Sequence, residues 1–131
     1  MEHQLFAKKM NIEKINIAEK LSLITQHWRP KVVGELNGQE VKLVKFKGEF
    51  PWHHHEKEDE LFLCIKGMMS IEFRDRRIDL LPGEFAIVPH SVEHRTLAEE
   101  EAEVLIFEPA ETKNTGNIND NKFTAPNGVK I

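Results

Sequence analysis

Residues 51–67, PWHHHEKEDELFLCIKG, join three consecutive histidines and a run of charged residues to an apolar segment. The apolar part, residues 61–65, has the length and composition of a buried β-strand. Alternation along a strand places His53 and His55 on one face and His54 on the other. The sequence therefore predicts that two histidines lie together where a strand of the core begins.

Glu60 stands at the start of the apolar segment and shares its parity with Phe62 and Cys64. We therefore expect its carboxylate to point inward, toward His53 and His55. A second polar group follows downstream in LPGEFAIVPHSVEH, residues 81–94, which contains His94. Three imidazoles and a carboxylate inside a small protein would be costly to bury unless they bind something. Neutral imidazole with carboxylate suits a divalent metal such as zinc, iron, nickel, manganese or copper.

Composition limits the possible partners. The chain has 131 residues, a net charge of −4 and a single cysteine. That length suits one domain, and the mixed charge lacks the basic stripe of a nucleic-acid site. Its apolar runs are too short to span a membrane, and we find no signal peptide. We expect a cytoplasmic protein in which Cys64 is a small buried side chain.

Most of the chain after residue 30 consists of short apolar segments separated by turn residues, a pattern that predicts short β-strands. Asn37-Gly38 predicts a two-residue hairpin between strands at 32–36 and 41–46. Further strands are expected at 61–65, 70–73, 78–81, 85–88, 93–97 and 103–107. Glu99, Glu100, Glu101 and Glu103 are interpreted as a solvated hairpin tip between the last two. About eight strands without intervening helices predict an all-β sandwich or barrel.

One helix is expected before the strands. Asn16 can cap it, with Glu19 three residues on, and Trp28-Arg29-Pro30 is expected to end it. The arm and helix present more apolar surface than one small barrel needs, which favours a homodimer. The apolar residues concerned are Ile12, Ile15, Ile17, Leu21 and Ile24.

These motifs resemble those of the cupins, a family of small jelly-roll β-barrels. The first cupin motif is G-x5-H-x-H-x(3,4)-E-x6-G, and this chain fits it from His53 to Gly67. The second is G-x5-P-x-G-x2-H-x3-N, in which Gly83, Pro89 and His94 take their places. The resemblance implies an all-β jelly-roll barrel with one short N-terminal helix, and a metal ion held by four residues. These are His53, His55, Glu60 and His94.

Three positions depart from the two motifs. Gly48 lies one residue too close to His53, Ser91 replaces the inner glycine of the second motif, and Ala98 replaces its asparagine. None of the three removes a ligand, but each could reshape a turn at the rim. The residue pattern along the chain divides it into an N-terminal arm and helix (1–30), a barrel (31–109) and a polar C-terminal tail that packs on the barrel or leaves it (110–131).

Other candidate residues are open to more than one interpretation. His90 could assist the metal site or be a rim histidine in a turn, and Glu58 and Asp59 compete with Glu60 as the carboxylate ligand. Motif spacing and strand parity favour Glu60. Arg74, Arg76 and Arg77 could hold an anion, although a hairpin tip favours solvent.

The aromatic residues divide by expected location. Phe46, Phe50 and Trp52 are candidates to line the barrel. Core positions are expected for three others, namely Phe62, Phe73 and Phe85.

The resemblance leaves two functional classes open. One is a metal-dependent enzyme of the oxygenase or isomerase type that acts on a small metabolite. The other is a module that binds or senses a small ligand without turnover. The same fold supports both, so the sequence names neither a catalytic residue nor a substrate.

Overall fold

The computed structural model describes residues 12–131 and places them in a jelly-roll of antiparallel strands with one short helix. The helix is α1 (Ile17–Ser22). Seven strands follow within the described residues: β1 (Lys31–Leu36), β2 (Gln39–Glu49), β3 (Glu60–Lys66), β4 (Met69–Glu72), β5 (Arg77–Leu80), β6 (Phe85–Val88) and β7 (Arg95–Pro109). The all-β prediction with one short helix is confirmed.

The hairpin between β1 and β2 forms where Asn37-Gly38 predicted it. Asn37 has φ of 51° and Gly38 has φ of 75°. Two successive positive φ angles are required by the type I′ turn that suits the twist of a two-residue hairpin. The turn sets the register that pairs Leu36 with Gln39.

β7 is the central element of the sheet, and its length shows that the predicted hairpin tip was wrong. The acidic run Glu99–Glu103 is not a hairpin tip, because it lies inside this one continuous strand. The pairing of β7 with β2 shifts register between Phe46 and Gly48, which marks a bulge opposite residues 98–102. The expected strands at 93–97 and 103–107 are therefore two parts of one bent strand. Glu99, Glu100 and Glu101 remain exposed at the bend.

Gly67 explains how the turn after β3 fits against this bend. Its φ is +81°, and a Cβ atom there would lie 2.8 Å from the backbone oxygen of Glu101. Only glycine tolerates both the backbone conformation and the close approach. The last glycine of the first motif thus has a packing role in the barrel.

Helix α1 packs on the outer face of the sheet. The backbone N–H of Glu19 donates to Asn16 Oδ1 at 3.0 Å, as expected for an N-cap. The helix ends at Ser22, earlier than expected, and the chain then turns so that Leu21 and Ile24 both pack against Leu43. Ile12, Ile15 and Ile17 remain exposed.

The barrel interior holds the main core. β3 turns Phe62 and Cys64 inward, and the neighbouring strands add Val44, Val104 and others. Cys64 is fully buried, as predicted, and burial raises the pKa of its thiol. Phe85 was expected in the core, but it faces outward with 59% of its surface exposed, because the parity of β6 turns Val88 inward instead.

Within residues 12–131, none of the helical structure has the length and apolar character needed to cross a membrane.

Candidate metal centre

His53, His55, Glu60 and His94 meet at one end of the barrel interior. Each contributes one donor atom, and all four atoms lie within 4.8 Å of one another. All four side chains are buried, with His94 fully so. The structure therefore brings together the four residues that the two motifs singled out.

Three separate pieces of chain supply these side chains. His53 and His55 come from the segment before β3, Glu60 is the first residue of β3, and His94 immediately precedes β7. Reciprocal backbone bonds join the two histidine segments: His53 N donates to His94 O at 3.0 Å, and His94 N donates to His53 O at 2.9 Å. This bridge fixes the spacing of the two rings, whose centroids are 4.6 Å apart.

Backbone carbonyls orient two of the imidazoles. Nδ1 of His53 is 2.9 Å from the carbonyl oxygen of Pro51, and Nδ1 of His94 is 2.9 Å from that of Val92. A carbonyl only accepts hydrogen bonds, so the proton of each neutral ring belongs on Nδ1. The Nε2 atoms are then left with free lone pairs, which is the arrangement a metal-binding histidine requires.

The donor atoms of the cluster are not satisfied by one another. His55 Nε2 is 3.0 Å from Glu60 Oε1, and His94 Nε2 is 3.4 Å from the same oxygen. Neither contact is a hydrogen bond, and all three atoms lack a hydrogen-bond partner among the residues that the structure describes. Buried polar atoms are rarely left in this state. The donor set, neutral imidazole with carboxylate, fits a divalent transition metal.

The electrostatics of the cluster favour the protonation states that metal ligands need. Burial, followed by repulsion from His94, lowers the pKa of His53 to about 4. Burial alone would raise the pKa of Glu60, but His55 and His94 outweigh it and hold that pKa well below its ordinary range. At neutral pH His53 is therefore a neutral ring and Glu60 a carboxylate.

The remaining polar candidates lie outside the cluster. His54 faces away, with Nε2 2.9 Å from Glu56 Oε1. His90 is an exposed rim residue whose backbone N–H donates to Asp59 Oδ1 at 2.8 Å. Asp59 is exposed and engaged there, and Glu58 contributes no donor atom to the cluster, so Glu60 is the carboxylate that enters it.

The three arginines near the β4–β5 turn face solvent, and two of them have acidic partners. Arg74 pairs with Glu93, and Arg77 with Asp79. Trp52 is half-buried beneath the guanidinium of Arg74, 3.8 Å from its ring centre, and so does not line the barrel.

Ser91 preserves the turn at which the motif has a glycine. Its φ is +67°, in the left-handed region that glycine adopts most readily. Its N–H donates to the carbonyl oxygen of His55 at 2.7 Å. The departure from the motif therefore leaves the rim turn intact and in contact with the histidine segment.

A cavity of about 30 Å³ opens beside the cluster, with His53 and Glu60 in its wall. Phe46 and Phe50 line it, as expected. Trp28, which was expected only to end the helix, also lines it and stacks on Phe46 with ring centres 4.4 Å apart. Its indole N–H donates to the carbonyl oxygen of Lys47 at 2.9 Å. The cavity thus combines aromatic walls with two of the four cluster residues.

The C-terminal segment holds the histidine segment in place, which the sequence did not reveal. Asn117 N donates to His54 O at 3.0 Å, and His54 N donates to Asn117 Oδ1 at 2.8 Å. Gly116 has φ of +56°, and a Cβ there would lie 2.1 Å from His54 O. The polar segment after residue 109 is therefore part of the frame of the site.

Three further polar residues near the cavity were not identified from the sequence. Glu40, Lys42 and Glu108 are all buried inside the barrel. Strand alternation could have revealed them. On β2, Glu40 and Lys42 alternate in step with the buried Val44, and on β7 Glu108 alternates in step with Ile106, so all three side chains point inward. Only Glu108 of the three lines the cavity.

Comparison with known proteins identifies the family. The model of the cupin domain matches residues 40–108. A cupin-2 domain protein from Shewanella frigidimarina is 46% identical, with a TM-score of 0.72 over 72% of this chain and 93% of that one. Protein NMB1881 from Neisseria meningitidis is 31% identical, with a TM-score of 0.69 over 75% and 100% of the two chains.

A curated relative, the uncharacterised protein YdbB of Bacillus subtilis (strain 168), is 37% identical over 65 residues. The match covers 49% of this chain and 58% of that protein. The range that the family model matches includes His53, His55, Glu60 and His94. The jelly-roll topology, the two motifs and these matches agree, and the chain belongs to the cupin family.

Proposed function

We propose that His53, His55, Glu60 and His94 hold one divalent metal ion, and that the site acts on a small molecule. One observation carries this proposal: four buried donor atoms converge within 4.8 Å, and three of them have no hydrogen-bond partner in the described part of the chain. Leaving them unpaired would cost about 1–3 kcal/mol each. A metal ion would satisfy them together.

The proposed activity is that of a metal-dependent enzyme of the oxygenase or isomerase type. A bound iron would supply oxygen chemistry, whereas zinc, nickel or manganese would supply a Lewis acid that polarises a carbonyl group. The chain itself provides orientation and exclusion of water. Backbone carbonyls fix the His53 and His94 rings, and Phe46, Phe50 and Trp28 form the dry wall of the cavity.

The first test is elemental analysis of protein purified without added metal or a metal-affinity column. We expect about one divalent metal per chain, and iron would favour the oxygenase. The second test replaces that metal with Co(II) and follows its d–d spectrum as azide is added. We expect azide to change the spectrum, because either reaction requires a coordination position open to a ligand. A tetrahedral spectrum that azide does not change would indicate a structural metal site and not an enzyme.

The competing interpretation is a module that binds its ligand without turnover. Two results together would support that alternative. Small ligands would change the Co(II) spectrum, and the protein would convert none of them with or without oxygen.

We also propose that the chain forms a homodimer through the outer face of its sheet. Two rows of apolar side chains cross that face in register: Ile87, Leu61, Phe107 and Val41 in one, and Phe85, Leu63, Leu105 and Leu43 in the other. Helix α1 packs on Leu43 and Leu105, whereas Phe85 and Ile87 stay more than half exposed. Continuous exposed apolar surface of this kind favours an interface.

Light scattering at micromolar concentration tests the dimer. We expect twice the chain mass of 15.2 kDa for the wild type and a single chain mass for Phe85→Glu, which places a charge on the exposed part of this apolar face. A wild-type mass near 15.2 kDa would exclude the dimer. The cytoplasmic location remains a prediction, with the free, buried thiol of Cys64 in its favour.

A further inference from the structure

A second buried polar cluster lies directly beside the proposed metal ligands. On β7, Glu108 pairs with Glu40 of the neighbouring strand β2. On its other side, β7 pairs with β3 through Phe107 and Leu61, so the same register brings Glu108 next to Glu60. Glu108 is thus a buried carboxyl group between the metal cluster and Glu40.

Lys42 fixes one oxygen of Glu108, and Glu60 lies beside the carboxyl group. The Nζ of Lys42 donates to Glu108 Oε1 at 2.8 Å, and it lies 3.7 Å from Glu40 Oε1. Glu108 Oε2 accepts no hydrogen bond from residues 12–131, although Glu108 is only 2% exposed. The Glu108 carboxyl group also lies within hydrogen-bonding reach of Glu60, so it is held between Lys42 and Glu60 at the wall of the cavity.

Glu108 lines the same cavity as His53 and Glu60. That cavity, at about 30 Å³, has room for about two groups the size of water, because one such group needs about 10–15 Å³. Apart from its few polar residues, its wall is apolar, with Val44, Phe62 and Ile106 next to the aromatic rings. A small ligand that reaches the metal must place its neighbouring atoms close to Glu108.

We propose that Glu108 recognises a hydroxyl group on the ligand, so that the site takes a small uncharged compound with a hydroxyl beside its metal-binding carbonyl. This inference rests on the proposed metal site. A hydroxyl can both donate and accept, so it pairs with Glu108 whether that group is a carboxylate or a carboxylic acid. The proposed metal already has one carboxylate ligand, Glu60, and a ligand carboxylate held at Glu108 would add a second anionic group beside it.

The experiment uses the Co(II)-loaded protein and two probes with the same three-carbon skeleton. Hydroxyacetone carries a hydroxyl beside its carbonyl, and pyruvate carries a carboxylate there. Titrations that follow the d–d spectrum should show hydroxyacetone binding about tenfold tighter or more, as expected for a hydrogen bond to a charged or polar buried group. Equal binding of the two probes, or tighter binding of pyruvate, would overturn the inference.

The variant Glu108→Met tests the residue itself. Its side chain has a similar length but no carboxyl oxygen, so it removes the group that pairs with a ligand hydroxyl, while Lys42 keeps Glu40 as a neighbour. The preference for hydroxyacetone should therefore fall about tenfold or more, with metal content unchanged. An unchanged preference in the folded variant would overturn the inference. Should the variant not fold, the wild-type comparison decides.

Glu40→Met is the matched control, because Glu40 also adjoins Lys42 but does not line the cavity. It should keep the wild-type preference within about threefold, and an equal loss in both variants would count against a direct role for Glu108. Azide separates this inference from the proposed function. If azide changes the spectrum while the two probes bind equally, the inference alone fails. If azide has no effect either, the open metal site fails with it.

Discussion

The two ends of the barrel interior are built from the same strands but differ in chemistry. At one end, which we call the polar end, β2, β3 and β7 contribute Glu40, Lys42, Glu60 and Glu108, and the three clustered histidines lie beside them. At the other, the apolar end, the neighbouring strands contribute Cys64, Met69, Ala102 and Val104, all fully buried.

The difference between the two ends shows where the protein needs a ligand. Four buried side-chain atoms lack a hydrogen-bond partner among the described residues, and all four belong to the polar end: His55 Nε2, Glu60 Oε1, His94 Nε2 and Glu108 Oε2. The apolar end is complete through packing alone. We therefore expect changes at the polar end to alter metal binding, and changes at the apolar end to alter stability only.

The largest effect should come from His94→Ala. Structural zinc sites contribute about 10–16 kcal/mol from four ligands, so one ligand is worth roughly 3 kcal/mol, or a hundredfold in affinity. His54→Ala is the matched control, because His54 faces away from the cluster. Elemental analysis and metal titration should show loss in the first variant and retention in the second. Equal behaviour of the two variants would refute the ligand assignment.

The next largest effect is expected for Gly116→Ala. The added methyl group would lie 2.1 Å from His54 O, so the C-terminal segment must move away from the histidine segment. Overpacking of this kind costs about 1–3 kcal/mol. Weaker metal binding should accompany the loss of stability.

Gly128→Ala is the control for backbone strain. Gly128 also has a positive φ, +67°, but nothing lies within 4 Å of its added Cβ. It should cost about 1 kcal/mol and leave metal affinity unchanged. If the two variants proved equally stable and bound metal equally well, the C-terminal segment would have no role in positioning the site.

A pH dependence should separate His53 from the rest of the polar end. In the metal-free protein the pKa of His53 is about 4, against 6.5 for an ordinary histidine. Between pH 6.5 and pH 4, His53 is therefore protonated in the unfolded chain but neutral in the folded one. The contribution of His53 to stability must then fall as the pH falls through this window, by up to about 3 kcal/mol.

The measurement is denaturant unfolding of metal-free wild type and His53→Gln from pH 7 to pH 4. Glu108 has a pKa raised well above its ordinary range by burial and by the charge of Glu60, and it opposes the effect of His53. Because both proteins contain Glu108, the difference between their unfolding free energies isolates His53. A difference that does not vary with pH would mean that His53 is not shielded from protons.

The smallest effect is expected at the apolar end. Val104→Ala removes two buried methyl groups and should cost roughly 2 kcal/mol of unfolding free energy. Metal affinity should stay within about twofold of the wild type, because Val104 contacts the core rather than the cluster. A large loss of metal in this variant would show that the two ends are coupled.

The sequence predicted the four cluster residues because their spacing is local. His53, His55 and Glu60 lie within eight residues, and His94 carries the second motif. The hairpin at Asn37-Gly38 was equally accessible, because two residues determine its turn.

What the sequence missed depends on contacts between distant segments. Glu40 and Glu108 have inward parity, but only the pairing of β2 with β7 brings them to Lys42 and the cavity. The acidic run at Glu99–Glu103 has the composition of a solvated turn, yet it lies in a bulge of β7. Gly116 looks like any loop glycine until His54 is placed against it.

The position of β7 also determines the order in which the structure can assemble. It is the last strand, and it pairs with β2, β3 and β4, which precede it by long stretches of chain. Such long-range pairing makes folding slow, and during synthesis the earlier strands emerge with their edges unpaired. His94 enters just before β7, so the histidine cluster can close only when the final strand joins the sheet. Assembly of the barrel and completion of the ligand set are therefore the same late event.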